Sequence, residues 1–203
     1  GQYNALNIGL LSSLIQYSFL DKIALVLLIV ALGMKAGIVP MHMWLPDSYG
    51  SAPSSVSVIL VGATLASLYG VLRVIFTLYG NVLSNLVRFD VSVNIIIGWF
   101  IVALAVVSII IGVTMALIQS EFKRLIAYGA VAEIGYMLLG IGGGIVALGT
   151  AYGKIALSGG IFHILNDALD VGLLFLVAGS IYYATRETSL DNLCGLARNM
   201  KYT

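Results

Sequence analysis

Apolar residues fill long stretches of this chain, and polar positions gather in the short intervals between them. A helix crosses the hydrocarbon core of a bilayer with ~20 mainly apolar residues at ~1.5 Å of rise each. Five stretches reach that length: residues 20–39, 55–78, 93–119, 123–141 and 151–183. Pro40 stops the first, and "SAPSS" ahead of the second offers serines as N-caps. The third is rich in β-branched residues and would read as a strand in water. Its length argues for helix, because an open strand in lipid leaves its backbone unpaired. The fourth ends in "GIGGG". The fifth exceeds a perpendicular crossing, so it is expected to tilt or bend, with residues 158–160 ("SGG") as the bend point. Residues 6–19 read as an interfacial helix or as the tail of an earlier span. The closing "RETSLDNLCGLARNMKYT" is polar enough to leave the bilayer.

The pattern predicts an all-α, polytopic integral membrane protein, with one membrane domain over residues 1–203 and no internal repeat. Composition agrees. The chain is 60% hydrophobic and 9% charged, whereas a soluble domain carries about 25% charged residues; its mean hydropathy is +1.05. A net charge of +1 gives no electrostatic case for binding nucleic acid. A lone cysteine, Cys194, excludes an intrachain disulfide and any paired-cysteine motif. The opening "GQYNALN" has neither a basic region nor a cleavage site, so no signal peptide is expected. Lys123, Arg124, Arg186, Arg198 and Lys201 flank the spans on one side, and Lys22, Arg88 and Lys154 on the other. That bias puts the "MHMWLPDSYG" loop, the "QSEFKR" loop and the C-terminus together on the cytoplasmic or matrix-like side.

Charges inside the spans carry the functional signal. Lys35 lies about 20 Å along its helix from Lys22. It either snorkels to the far interface or faces a polar cavity and exchanges protons. In the last span, His163, Asn166, Asp167 and Asp170 follow at i, i+3, i+4 and i+7, which sets them on one helical face. Ile164, Leu165, Leu169 and Val171 form the opposite face, suited to lipid or packing. Carboxylates and an imidazole within a span must point into protein or water; the alternative is a cluster near a helix end or one that holds a neighbouring subunit's cation. One histidine with two aspartates is not a transition-metal set, so no metal and no cofactor is expected. Glu133 is a further intramembrane acid, read as a pathway residue or as a local partner of Lys123 or Arg124. Arg73 reads as a snorkelling residue, and Lys154 falls on the face away from His163.

Three segments carry a family resemblance: "MKAGIVPMHMWLPDSYGSAPSSVSVIL", "QSEFKRLIAYGAVAEIGYMLLGIG" and "FHILNDALDVGLLFLVAGSI". In that order they resemble signatures of the antiporter-like subunits. These are the large proton-pumping membrane subunits of respiratory complex I, of group 4 membrane-bound hydrogenases, and of multisubunit sodium/proton antiporters. The resemblance implies a fragment of a fourteen-helix module, with the five spans as its seventh to eleventh helices. It gives Lys35 the place of the family's pathway lysine, just ahead of a helix break. The chain also departs from the pattern. Val61 and Ala66 stand in the stretch where the family often has a histidine or lysine. Asp167 replaces the second histidine of the last span, Val171 replaces the lysine after it, and Asp170 is an added acid.

The expected function is therefore a proton- or sodium-translocating subunit, with no redox chemistry of its own, coupled to electron transfer in a respiratory or hydrogenase-type complex. Lys35, His163, Asp167, Asp170 and Glu133 are the expected pathway residues. The expected partners are other membrane subunits of a redox or antiporter complex and the lipid bilayer, in a prokaryotic inner membrane. Two other readings stand beside it: a degenerate structural subunit that no longer pumps, and an independent secondary transporter. The last is weakened by the absence of an inverted repeat.

Overall fold

A computed structural model describes residues 7–15, 18–79 and 91–196. Among these residues the elements are helical: α1 (Ile8–Leu14), α2 (Phe19–Ala36), α3 (Trp44–Ser51), α4 (Ser54–Arg73), α5 (Val91–Leu117), α6 (Phe122–Val146) and α7 (Ala151–Thr185). A π-turn, Val74–Leu78, prolongs α4, and a 3-10 turn, Leu190–Asn192, follows α7. Four helical stretches are long and apolar enough to cross a membrane: Ser54–Leu78, Ile95–Leu117, Phe122–Val146 and Ala151–Thr185. The first expected span is present as α2. It is 18 residues long, so Asp21, Lys22 and Lys35 all fall within its only stretch of that length, whereas the longer helices offer less charged stretches. Of the residues expected to bias orientation, Arg88, Arg198 and Lys201 lie outside the described residues.

Local chemistry explains where α2 starts and stops. Ser18 and Asp21 form a reciprocal capping box at its N-terminus. At the other end Gly37 adopts a left-handed conformation (φ 75°). Its N–H donates to the Met34 carbonyl, and the N–H of Ile38 donates to that of Gly33, at 3.1 and 3.0 Å. This paired closure needs a residue without a Cβ, so the break comes at Gly37 and not at Pro40, which follows a cis peptide bond in the turn. The Trp44 indole N–H donates to the Met34 carbonyl at 2.8 Å and ties α3 back onto α2. The expected serine cap of α4 is absent: Pro53 occupies the N-cap, and Ser57 Oγ donates instead to the Tyr49 carbonyl at 2.9 Å.

The glycine run at residues 140–144 does not end α6, as the sequence predicted, because those glycines serve contact and not termination. A methyl group on Gly142 would meet the Gly98 carbonyl of α5 at 3.0 Å, and one on Gly140 would meet Gly160 Cα of α7 at 2.7 Å. Small residues let helix backbones approach in lipid, where dispersion drives association. The helix α7 accordingly runs without a break through residues 158–160. Buried side chains of α3, α4, α6 and α7 form the core, with Leu45, Tyr49, Leu68, Val131, Met137, Ile141 and Phe175 nearly inaccessible. An apolar groove of about 550 Å³ lies between α2 and α5, lined by Leu25, Ile29, Val30, Phe100 and Leu104 among others.

One end of the bundle gathers the expected loops. Arg124 pairs with Asp47, and the Lys123 ammonium donates to the Ala52 carbonyl. The Leu190 N–H donates to the Ser120 carbonyl at 2.8 Å. The α2–α3 connection, the α5–α6 turn and the segment after α7 therefore share one end, as the charge count predicted.

Candidate functional site

The polar groups in the middle of the bundle come from α6 and α7, helices packed along their length. Glu133 is the twelfth residue of α6, and His163 the thirteenth of α7. Their side chains meet, His163 Nε2 to Glu133 Oε2, at 2.7 Å. Both are about one-third exposed on the chain. The Tyr136 ring, one turn beyond Glu133, stands edge-on to the imidazole with centroids 6.0 Å apart. Glu133 thus finds its partner on the facing helix and not in Lys123 or Arg124, which hold α3 instead.

Asp167 sits one turn beyond His163 and is 4% exposed. Its Oδ1 is buried and has no hydrogen-bond partner among the described residues. Burying an uncompensated carboxylate in a medium of low polarity is costly. The unmatched oxygen therefore marks a position where a proton, a water or a shifted donor is required.

The four polar residues of α7 share a face but not an environment. The packed face of the helix is centred on Gly160, Asp167, Val171, Phe175 and Ala178. At ~100° per residue, Asp167 falls inside that stripe and His163 at its edge. Asn166 and Asp170 turn outward and are exposed. Val171, expected on the face away from the acids, is buried instead. Lys35 is exposed near the end of α2 and has no hydrogen bond or ion pair with the described residues. Of the five expected pathway residues, the structure joins Glu133, His163 and Asp167; Lys35 and Asp170 face outward on this chain.

Sequence reasoning passed over two groups. Tyr49 is 1% exposed, and its hydroxyl lies 2.7 Å from Thr64 Oγ1. Burial is the main cause that raises the Tyr49 pKa, so the phenol stays protonated. His42, in the turn before α3, is 6% exposed and leaves Nδ1 without a hydrogen bond. Burial lowers its pKa against a weaker opposing pull from the Pro40 backbone. The only signal for either was polar residues inside the "PMHMWLPDSYG" loop. Among the described residues, no group of three or more His, Cys, Asp or Glu side chains could hold a metal ion.

Comparison with known proteins places the chain in a family. A family model described as NADH:quinone oxidoreductase/Mrp antiporter, transmembrane, matches residues 2–203. Hydrogenase-4 component B of Escherichia coli is 32% identical over 175 residues, covering 84% of this chain and 25% of that protein. NADH-quinone oxidoreductase subunit N of Desulforudis audaxviator is 30% identical over 206 residues, covering 100% and 37%. Subunit M of Rickettsia prowazekii is 31% identical over 183 residues, covering 90% and 33%. Among solved structures, a chain of the Mrp complex from Dietzia sp. superposes with a TM-score of 0.69 at 26% identity, covering 88% of this chain and 30% of that one. The chain spans about a quarter to a little over a third of the length of these relatives. It belongs to the NADH:quinone oxidoreductase/Mrp antiporter family of helical integral membrane subunits.

Proposed function

We propose that this chain forms the central part of a proton-translocating subunit, coupled to electron transfer carried out by partner subunits of a membrane complex. The observation that carries this reading is the Glu133–His163 pair with the unmatched Asp167 one turn away, all in the middle of two packed spans. An imidazole bonded to one carboxyl group and a helical turn from another can exchange a proton with the first directly and with the second through a water or a side-chain shift. Ionisable side chains at that depth are costly, which favours a functional role for them. The relatives are named as subunits of NADH-quinone oxidoreductases and of a hydrogenase, and the solved structure as an Mrp complex. Lys35 and Asp170 enter the path where neighbouring helices cover the outward faces of α2 and α7. The proposed ion is the proton, because the Glu133–His163 hydrogen bond offers a path along which a proton can shift.

The second reading is a structural subunit that no longer pumps, favoured by the separation of Lys35 from the buried cluster. Reconstitution of the intact complex decides between them, with ion translocation and electron transfer measured together. Asp167→Asn and Glu133→Gln preserve size and are expected to lower translocation per electron while the complex still assembles. Unchanged pumping in both variants overturns the proposal. Translocation that follows sodium concentration and not proton concentration replaces the proton with sodium.

A further inference from the structure

The register between α4 and α7 sets a second polar pair near the depth of Asp167. The helices run in opposite directions. A methyl group on Gly179 would meet Ser54 Cβ at 2.8 Å, and one on Gly172 would meet Val58 Cγ1 at 3.8 Å. Six residues onward from Val58 is Thr64, and five residues back from Gly172 is Asp167. From Ser54 and Gly179 the offsets are ten and twelve residues, so at ~1.5 Å per residue Thr64 and Asp167 stand within about 3 Å of the same depth. Tyr49 occupies the same place from α3: its hydroxyl meets Thr64, and its ring stands edge-on to Phe175, two turns beyond Asp167, at 5.5 Å. The charge of Asp167 also reaches the phenol, adding to the rise that burial gives Tyr49.

Thr64 Oγ1 has the Leu60 and Val61 carbonyls within reach, at 3.2 and 2.8 Å. With its one proton on either carbonyl, it accepts from the Tyr49 hydroxyl. The phenolic oxygen keeps its acceptor capacity, and its O–H can turn about the ring bond. Asp167, near the same depth, has an oxygen with no partner. The α3 helix is held at its middle by Arg124 on Asp47 and at its C-cap by Lys123 on the Ala52 carbonyl, and Ser57 holds the Tyr49 carbonyl.

We infer that Tyr49 is a positioning residue for Asp167. Its hydroxyl turns from Thr64 to donate to the ionised carboxylate, and accepts from the carboxyl group once it is protonated. Thr64 supplies the resting partner, so neither state strands the phenol proton. The inference rests on the proposed role of Asp167 in translocation and adds the group that makes both of its protonation states tolerable in a buried site.

The test uses the reconstituted intact complex, with infrared difference spectra between acid and alkaline pH read beside the translocation rate. The carboxyl band of Asp167 is identified by its loss in Asp167→Asn. In Tyr49→Phe, which keeps the ring against Phe175, that band is expected to shift. Translocation is expected to fall roughly ten- to a hundredfold, the effect of losing one hydrogen bond to a charged group. Thr64→Val removes the competing acceptor and is expected to shift the band in the opposite direction; it also serves if Tyr49→Phe fails to assemble. A band that stays in place in either assembled variant overturns the inference. If the band moves in Tyr49→Phe while Asp167→Asn pumps normally, the contact stands and the translocation role of Asp167 falls.

Discussion

Gly140 of α6 and Gly160 of α7 face each other so closely that a methyl group on Gly140 would lie 2.7 Å from the Gly160 Cα. The neighbours are backbone, which cannot swing away. Gly140→Leu is therefore expected to destabilise the assembled protein by at least ~1–3 kcal/mol, as overpacking does. Gly129→Ala, where nothing lies within 4 Å, should be neutral or stabilising by up to about 1 kcal/mol. Thermal unfolding of the two variants in the same detergent or nanodisc checks this; equal losses would show that the seam between α6 and α7 is not close-packed.

Ser57 is fully buried, and its hydroxyl donates to the Tyr49 carbonyl at 2.9 Å. Ser57→Ala removes the donor and leaves that carbonyl in a dry contact, at an expected cost of about 1–3 kcal/mol. The same melting experiment reads it. A loss near zero would mean that another donor reaches the Tyr49 carbonyl.

His42 lies in the turn outside the spans, and burial holds its pKa below the ordinary value of about 6.5. Once unfolded, the imidazole takes a proton at about pH 6.5, which the folded protein takes up only at lower pH. The unfolded chain thus binds more protons within that interval, and stability falls as pH drops through it. Stability is complete above about pH 6.5 and declines below it until the folded imidazole itself titrates. Melting temperatures from pH 8 to pH 5 should show this decline, and His42→Asn should flatten it. An identical pH profile in the variant would assign the decline to other groups.

The spans were legible because their signal is additive: twenty apolar residues in a row leave few alternatives in lipid. Residues 93–119, β-branched and strand-like by propensity, became α5, because backbone satisfaction in a bilayer outweighs side-chain preference. Helix ends were less legible. Gly37 stops a helix through its φ of 75°, whereas the glycines at 140–144 prolong one, and the difference lies in neighbours that the local sequence does not reveal. The spacing of His163 and Asp167 on one face was readable. Which of the face's members are buried depends on where the packed stripe is centred, and that is set by α4 and α6. Glu133 as the partner of His163 lies 30 residues away, beyond any local pattern. The helix α3 was missed because eight residues containing Pro46 and Gly50 carry no hydrophobic period.

The groove beside α2 has a consequence for Lys35. The helix packs chiefly on α4, and its other flank is the apolar wall of that groove. Glu133 and His163 hold each other across α6 and α7, but Lys35 rides on a helix anchored along one edge. Its exposed side chain therefore takes its surroundings from whatever packs beside α2. The surroundings of Lys35 come from outside, while Glu133 and Asp167 are placed by this chain's own helices.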